Sequence, residues 1–171
     1  GVSCVNALSA HLRAEIYREG KIFLQEYSCG KPLESVKVIG ETDRTGTKIT
    51  FLPDKTILTT LEFKFDILLA RIRELSYLNK GIRLTIADLR ELDEAGTPMS
   101  ETFHSQDGLK EFVEFLDATR EKLTEKIIYA ETDKNDVHVE IAMQYNTSFN
   151  ENVHSYVNNI NTQEGGTHLA G

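Results

Sequence analysis

Residues 12–24 read LRAEIYREGKIFL. Leu12, Ala14 and Ile16 alternate with Arg13, Glu15 and Tyr17, and the alternation resumes at Ile22 and Leu24. A period of two puts successive side chains on opposite faces of a strand. Between the runs stands Arg18-Glu19-Gly20-Lys21, a short link whose glycine suits a tight turn between antiparallel neighbours. The stretch predicts a β-hairpin, and with it a mainly antiparallel sheet.

On the amino-terminal side, Val2, Val5 and Leu8 recur at helical spacing, with no capping residue in front of them. The first N–H groups of such a helix have no acceptor inside it. On the carboxy-terminal side, Thr47 to Leu52 fits a third strand with Thr47, Ile49 and Phe51 on its inward face. The segment 30–46, with Pro32, Gly40 and several charges, reads as a loop holding a short strand at Val36 to Ile39. Phe65, Leu68, Leu69, Ile72 and Leu75 follow the i, i+3, i+4, i+7 rule, and Asn79-Lys80-Gly81 supplies a stop. Ile82, Leu84 and Ile86 alternate as a strand, while Glu91 to Glu101, with Gly96 and Pro98, reads as an exposed hairpin tip.

Farther on, Leu109, Phe112, Val113 and Leu116 mark a second amphipathic helix, followed by a charged connector from Arg120 to Lys126. Strands follow at Ile127 to Thr132 and Val137 to Tyr145, with a candidate third at Val153 to Val157. Gly165-Gly166 precede Thr167, which suits a helix N-cap with no room left for its helix. The arrangement is α+β, helices laid on one face of a sheet, with a second strand-rich unit beginning between Gln106 and Lys126.

The 171 residues suffice for one good core, or one and part of another. No apolar run approaches the length of a membrane span and no signal stretch opens the chain, so a cytoplasmic setting and no membrane partner are expected. Cys4 and Cys29 stand far apart without a second pair, which argues against a disulfide framework or a zinc site. The net charge of −8 opposes a nucleic-acid surface spread over the whole chain. Residues 1–81 carry 12 Lys and Arg against 10 Asp and Glu, whereas 82–171 carry 7 against 17. Such asymmetry fits two units with different neighbours, or acidic residues that merely solvate helix faces.

No His pair has metal-binding spacing, no Ser, His and Asp set stands out, and no complete phosphate-binding glycine loop occurs. His104, His138 and His154 fall in strand patterns at surface or edge positions. Thr47 draws more interest. A hydroxyl among aliphatic and aromatic neighbours must find a hydrogen bond or lose about 1 to 3 kcal/mol. It is either bonded to a neighbouring backbone carbonyl or lines an apolar pocket for a flat polar ligand such as a purine.

Five blocks of sequence follow one another along the chain: GVSCVNALS at the amino end, YREGKI at 17–22, GETDRTGTKITFLP at 40–53, LARIRELSYLNKGI at 69–82 and NNINTQEGGTHLAG at 158–171. In their order and spacing the whole chain resembles the B subunits of bacterial DNA gyrase, ATPase subunits of type IIA topoisomerases. The related subunit of topoisomerase IV, a decatenating enzyme, is similar too. RELSYLNKG and the Leu169-Ala170 that follows GGTH look more like gyrase. A non-catalytic α+β interaction module is the alternative from another class.

The resemblance implies a partial GHKL-type (Bergerat) ATPase sandwich over residues 1–106. It also implies the start of a transducer domain, ribosomal S5 domain 2-like, over 107–171. Gly1 then matches the last glycine of a GLHGVG loop that closes over the ATP phosphates, and the free N–H groups behind it would face the triphosphate. Thr47 matches the threonine whose hydroxyl, with a bound water, helps read the adenine; Ile49 and Val2 would supply apolar walls. Arg18 resembles the arginine at the pocket rim where aminocoumarin inhibitors stack; toward ATP itself it reads as a solvated hairpin arginine.

The family's general base, its Mg2+-binding asparagine and its γ-phosphate lysine match no position of this sequence. The piece is expected to be an internal fragment, inactive alone, with no catalytic or metal-binding residue of its own. The intact protein would use ATP and Mg2+, dimerise on binding ATP, pair with the gyrase A subunit and negatively supercoil double-stranded DNA by strand passage.

Overall fold

The computed structural model describes residues 1–163 and 165–170; Glu164 and Gly171, both in the 158–171 block, lie outside the described residues. The chain divides into two compact units, Gly1–Phe63 and Lys64–Gly171.

In the first unit a short helix α1 (Val2–Ala7) leads into strands β1 (Ser9–Arg18), β2 (Lys21–Ser28), β3 (Lys31–Pro32), β4 (Lys37–Glu41) and β5 (Gly46–Pro53). They form one five-stranded antiparallel sheet in the order β3-β2-β1-β5, with β4 also paired to β2. The hairpin closes where Arg18 pairs with Lys21, across Glu19 and Gly20 at φ 53° and 76°. Two successive positive-φ residues give a turn whose twist matches that of the strands.

Strand β1 is central. Leu12, only 2% exposed, stands between Tyr27 and Phe51, and Leu24 on β2 is 5% exposed. Register places Ala14 beside Ile49 and Ile16 beside Thr47. Thr47, Ile49 and Phe51 share the face of the buried Leu12, but the expectation that they are covered there is corrected: all three are exposed. β5 is an edge strand, and among the described residues only Phe63, edge-on to Phe51 at 6.4 Å, makes a ring contact with that face.

A helix of six residues has too few internal bonds to stand alone. Its carboxyl end is tied down at two points: the Ser9 hydroxyl donates to the Val5 carbonyl (2.6 Å) and the Asp54 amide to the Leu8 carbonyl (2.9 Å). The Cys29 amide donates to the Ser9 carbonyl (2.9 Å) and fixes the start of β1 beside the turn after β2. Gly30 makes the approach feasible, since it sits at φ 79° and a Cβ there would come 3.3 Å from Ala7 Cα.

The second unit comprises α2 (Phe65–Leu78), β6 (Arg83–Leu92), β7 (Pro98–His104), α3 (Leu109–Leu116), β8 (Ile128–Lys134), β9 (Val137–Met143), β10 (Tyr156–Val157), β11 (Ile160–Asn161) and α4 (Thr167–Ala170). Its strands form separate antiparallel pairs, β6-β7, β8-β9 and β10-β11. Phe112 of α3, 6% exposed, stacks on Tyr77 of α2 at 5.3 Å, with the rings of His154 and Tyr156 at 5.9 and 6.4 Å. Arg73 lies over Phe103 at 5.1 Å and Phe115 at 5.2 Å. His104, His138 and His154 are exposed.

Three local expectations change. The exposed tip shrinks to Asp93–Thr97, because Asp93 Oδ1 accepts the amides of Ala95 (2.9 Å) and Thr97 (2.8 Å) and closes the turn tightly. β7 therefore starts at Pro98, a polar strand that lacked the alternation needed to reveal it. The candidate strand Val153 to Val157 shortens to Tyr156–Val157. Thr167 begins one helical turn, Thr167–Ala170, instead of capping an absent one.

Candidate functional site

Gly46 opens β5 at φ 152°, a backbone conformation that side chains disfavour. Beside it lies a hollow of about 310 Å3 lined by Tyr17, Arg44, Thr45, Gly46, Thr47 and Lys48. Thr47 stands opposite Ile16, and its hydroxyl bonds no described residue, so the neighbouring-carbonyl alternative does not hold among them. Ile49 follows on the same face opposite Ala14. Arg18 is next to Tyr17 at the hairpin end, exposed, its Nε donating to Glu19 Oε1 at 2.8 Å. The structure thus brings Thr47, Ile49 and Arg18 to one end of the sheet.

The opposite sheet face at this end is electrostatically committed. Arg13 donates to Glu15 at 2.7 Å, and Lys48 Nζ lies 3.6 Å from the same carboxylate. The Arg13 hydrogen bond holds the Glu15 carboxyl below its ordinary pKa, with Lys48 adding to the effect. The Lys48 ammonium is therefore drawn toward Glu15, while Arg44 and Arg18 stay at the Thr47 end.

Gly1 and Val2 belong to a different element. The Gly1 carbonyl accepts the amides of Cys4 (3.0 Å) and Val5 (3.2 Å). No side chain caps α1 and no acid lies in its first turn. Helix geometry leaves the amides of Val2 and Ser3 without intrahelical acceptors, and a helix start free of carboxylates suits an anion. Neither Gly1 nor Val2 lines the hollow at Thr47. The five residues singled out in the sequence thus fall into a sheet-end group and a helix group.

Sequence reasoning missed Asp54, which fixes the position of the helix group. Its Oδ1 accepts the Thr56 amide (2.8 Å) and hydroxyl (2.7 Å), and its Oδ2 faces the Cys29 thiol at 3.4 Å. The Thr56 amide and hydroxyl, and then the Cys29 thiol, hold the carboxyl below its ordinary value. The one available signal was an acid directly after Leu52-Pro53 at a strand end. Cys4 and Cys29 are both free thiols. Among the described residues no three His, Cys, Asp or Glu side chains are placed to hold a metal, and no helix is long and apolar enough to cross a membrane.

Against known proteins, the family model described as DNA gyrase B matches residues 108–171. The DNA gyrase B subunit of Eisenibacter elegans is 58% identical over the whole chain, which spans 36% of that relative's length. The B subunit of Cytophaga hutchinsonii gyrase is 57% identical, again over the whole chain and 36% of the relative. Among solved structures, the crystal structure of the 43K ATPase domain of Thermus thermophilus gyrase B in complex with an aminocoumarin matches 98% of this chain and 45% of that one, with 34% identity and a TM-score of 0.84. The α+β arrangement with antiparallel sheets is accordingly a partial GHKL-type fold. Spanning about a third of the length of the two bacterial relatives it matches, the chain belongs to the DNA gyrase B family.

Proposed function

We propose that this chain is part of the ATPase subunit of a DNA gyrase, which introduces negative supercoils into double-stranded DNA by ATP-dependent strand passage. The observation that carries the reading is the likeness, over 98% of the chain, to an ATPase domain crystallised with an aminocoumarin. In the intact protein, ATP with Mg2+ is the cofactor, the gyrase A subunit is the partner, and ATP binding closes a dimer. Residues 1–106 are the later part of the ATP-binding domain and 107–171 the start of the transducer domain. Support for that boundary comes from the family model, whose match begins at residue 108.

Within this chain, the unbonded hydroxyl of Thr47 reads the adenine, and Ile49 and Val2 supply apolar walls. The free amides at the start of α1, beginning at Gly1, take the phosphates. Arg18, already engaged by Glu19, sits at the rim where an inhibitor would meet it. What ATP supplies is the binding and hydrolysis free energy that drives closure; no residue of this chain is assigned to Mg2+ or to the attack on the phosphate.

The test is reconstitution of the full-length protein with its gyrase A partner. Relaxed circular DNA is expected to become negatively supercoiled only when ATP is present. Decatenation without supercoiling would move the assignment to topoisomerase IV, and no ATP-dependent change in topology would end the reading.

A further inference from the structure

The turn between β10 and β11 is built from Asn158 and Asn159, at φ 49° and 65°. Asparagine is among the few residues that accept this left-handed region readily. Asn159 does more than turn the chain. Its carbonyl accepts Arg71 Nη2 at 2.7 Å, and its side-chain amide donates to Asn79 Oδ1 at 2.8 Å. Arg71 stands in the middle of α2 and Asn79 directly follows its last residue, at the carboxyl end. Each is itself fixed: Arg71 pairs with Glu74, and Asn79 donates its side-chain amide to the Leu75 carbonyl at 2.8 Å.

The base of the hairpin is also closed. The hydroxyls of Ser155 and Thr162 lie 2.5 Å apart, and the Thr162 amide donates to Ser155 at 2.8 Å. One face of the same segment packs His154 and Tyr156 around Phe112, which is stacked on Tyr77 of α2. Helix and hairpin, about 80 residues apart in sequence, are therefore joined through a side-chain grip and a shared aromatic cluster.

We propose that Asn159 is a positioning residue which, gripped by Arg71 and Asn79, makes α2 and the β10-β11 hairpin move as one body. This rests on the reading that α2 lies in the ATP-binding domain and the hairpin in the transducer. It assigns the grip the task of carrying nucleotide-driven movement from one domain into the next. Asn158 has the same backbone conformation but no bond to α2 among the described residues, so it is the internal control.

In the full-length protein with its gyrase A partner, Asn159→Gly keeps the turn and removes the amide, while Asn79→Ala removes its acceptor and leaves the hairpin sequence intact. Both are expected to keep the rate of ATP hydrolysis within about twofold while the ATP consumed per supercoil rises by at least about threefold, a coupling change typical of networks that link sites. The double variant should be no worse than the poorer single one, and Asn158→Gly should match wild type in both readouts.

Amide exchange over residues 155–162 is expected to speed up in Asn159→Gly and Asn79→Ala but not in Asn158→Gly. Unchanged exchange in both grip variants would overturn the contact itself. Faster exchange with unchanged ATP consumption per supercoil would overturn its role in coupling. If wild type shows no ATP-dependent supercoiling, the functional assignment fails while the exchange experiment still judges the grip.

Discussion

The two units are stabilised by different means. Gly1–Phe63 is one continuous hydrogen-bonded sheet with β1 paired on both sides, so its geometry is carried mainly by the backbone. Lys64–Gly171 has no such ladder among its described residues. Its helices, strand pairs and loops are held together by a few side chains: Phe112 on Tyr77, Arg73 between Phe103 and Phe115, Lys110 over Tyr129 at 4.4 Å, and Asn146 on Asp117 at 2.8 Å. A sheet shares its stability among many equivalent bonds, whereas a set of clasps concentrates it in named residues. The second unit should therefore be more sensitive to single side-chain deletions, and the first more sensitive to changes that alter register.

The strongest way to break this comparison is Phe112→Ala. Among the described residues of its unit Phe112 is the one large apolar side chain that is buried, and its loss is expected to cost about 3 to 5 kcal/mol. Urea melts followed by amide exchange should show β8-β9 and β10-β11 opening while β1-β2 stays protected. Loss of both units together would show that the side-chain clasps do not act locally. Leu12→Ala comes next, at about 2 to 4 kcal/mol, and exchange should then rise across β1, β2 and β5 first.

Thr47→Ala separates stability from recognition. Its hydroxyl bonds no described residue, so melting should not change. In the full-length protein, nucleotide affinity should fall by about 1 to 2 kcal/mol, the worth of a hydrogen bond in a partly wet pocket. Equilibrium binding of ATP at wild-type strength would remove Thr47 from the site.

The smallest effect is expected from pH, where carboxylates of both units take part. Asp54 and Glu15 in the first unit and Glu111 in the second are held below their ordinary values, and Asp88 is held down to about 2, chiefly by the Arg90 guanidinium. Each binds its proton at lower pH in the folded chain than in the unfolded one. As pH falls the unfolded state takes up protons first, so these contributions, complete near neutrality, are lost between about pH 5 and pH 2. Asp54→Asn should flatten the acid limb of the first unit's stability profile. An unaltered limb would show that the Thr56 and Cys29 bonds carry no stability.

Much of this was legible in residues 12–24, because alternation and a glycine-containing turn are local signals. The long helices were equally legible from their apolar period. β7 was not, since its residues are mostly polar and its existence depends on pairing with β6, a partner that no local pattern reveals. The site was legible only as residue types. Thr47 stood out as a hydroxyl among apolar neighbours, but the edge position of β5, which leaves it open, is a property of strand order. Asn159 was invisible because it acts through partners far along the chain, Arg71 and Asn79, and the contact of Asp54 with Cys29 was hidden in the same way, although its bonds to Thr56 are local.

Strand β5 has a practical consequence for handling the polypeptide. One rim of its backbone has no mate among the described residues, and Ile49, Phe51 and Leu52 stand in the open beside it with Lys48 as the lone charge between Gly46 and Pro53. Such a border templates the addition of a further chain. Preparations of the isolated 171 residues should accordingly sediment as larger species as protein concentration rises, and a second lysine in place of Thr50 should keep them apart.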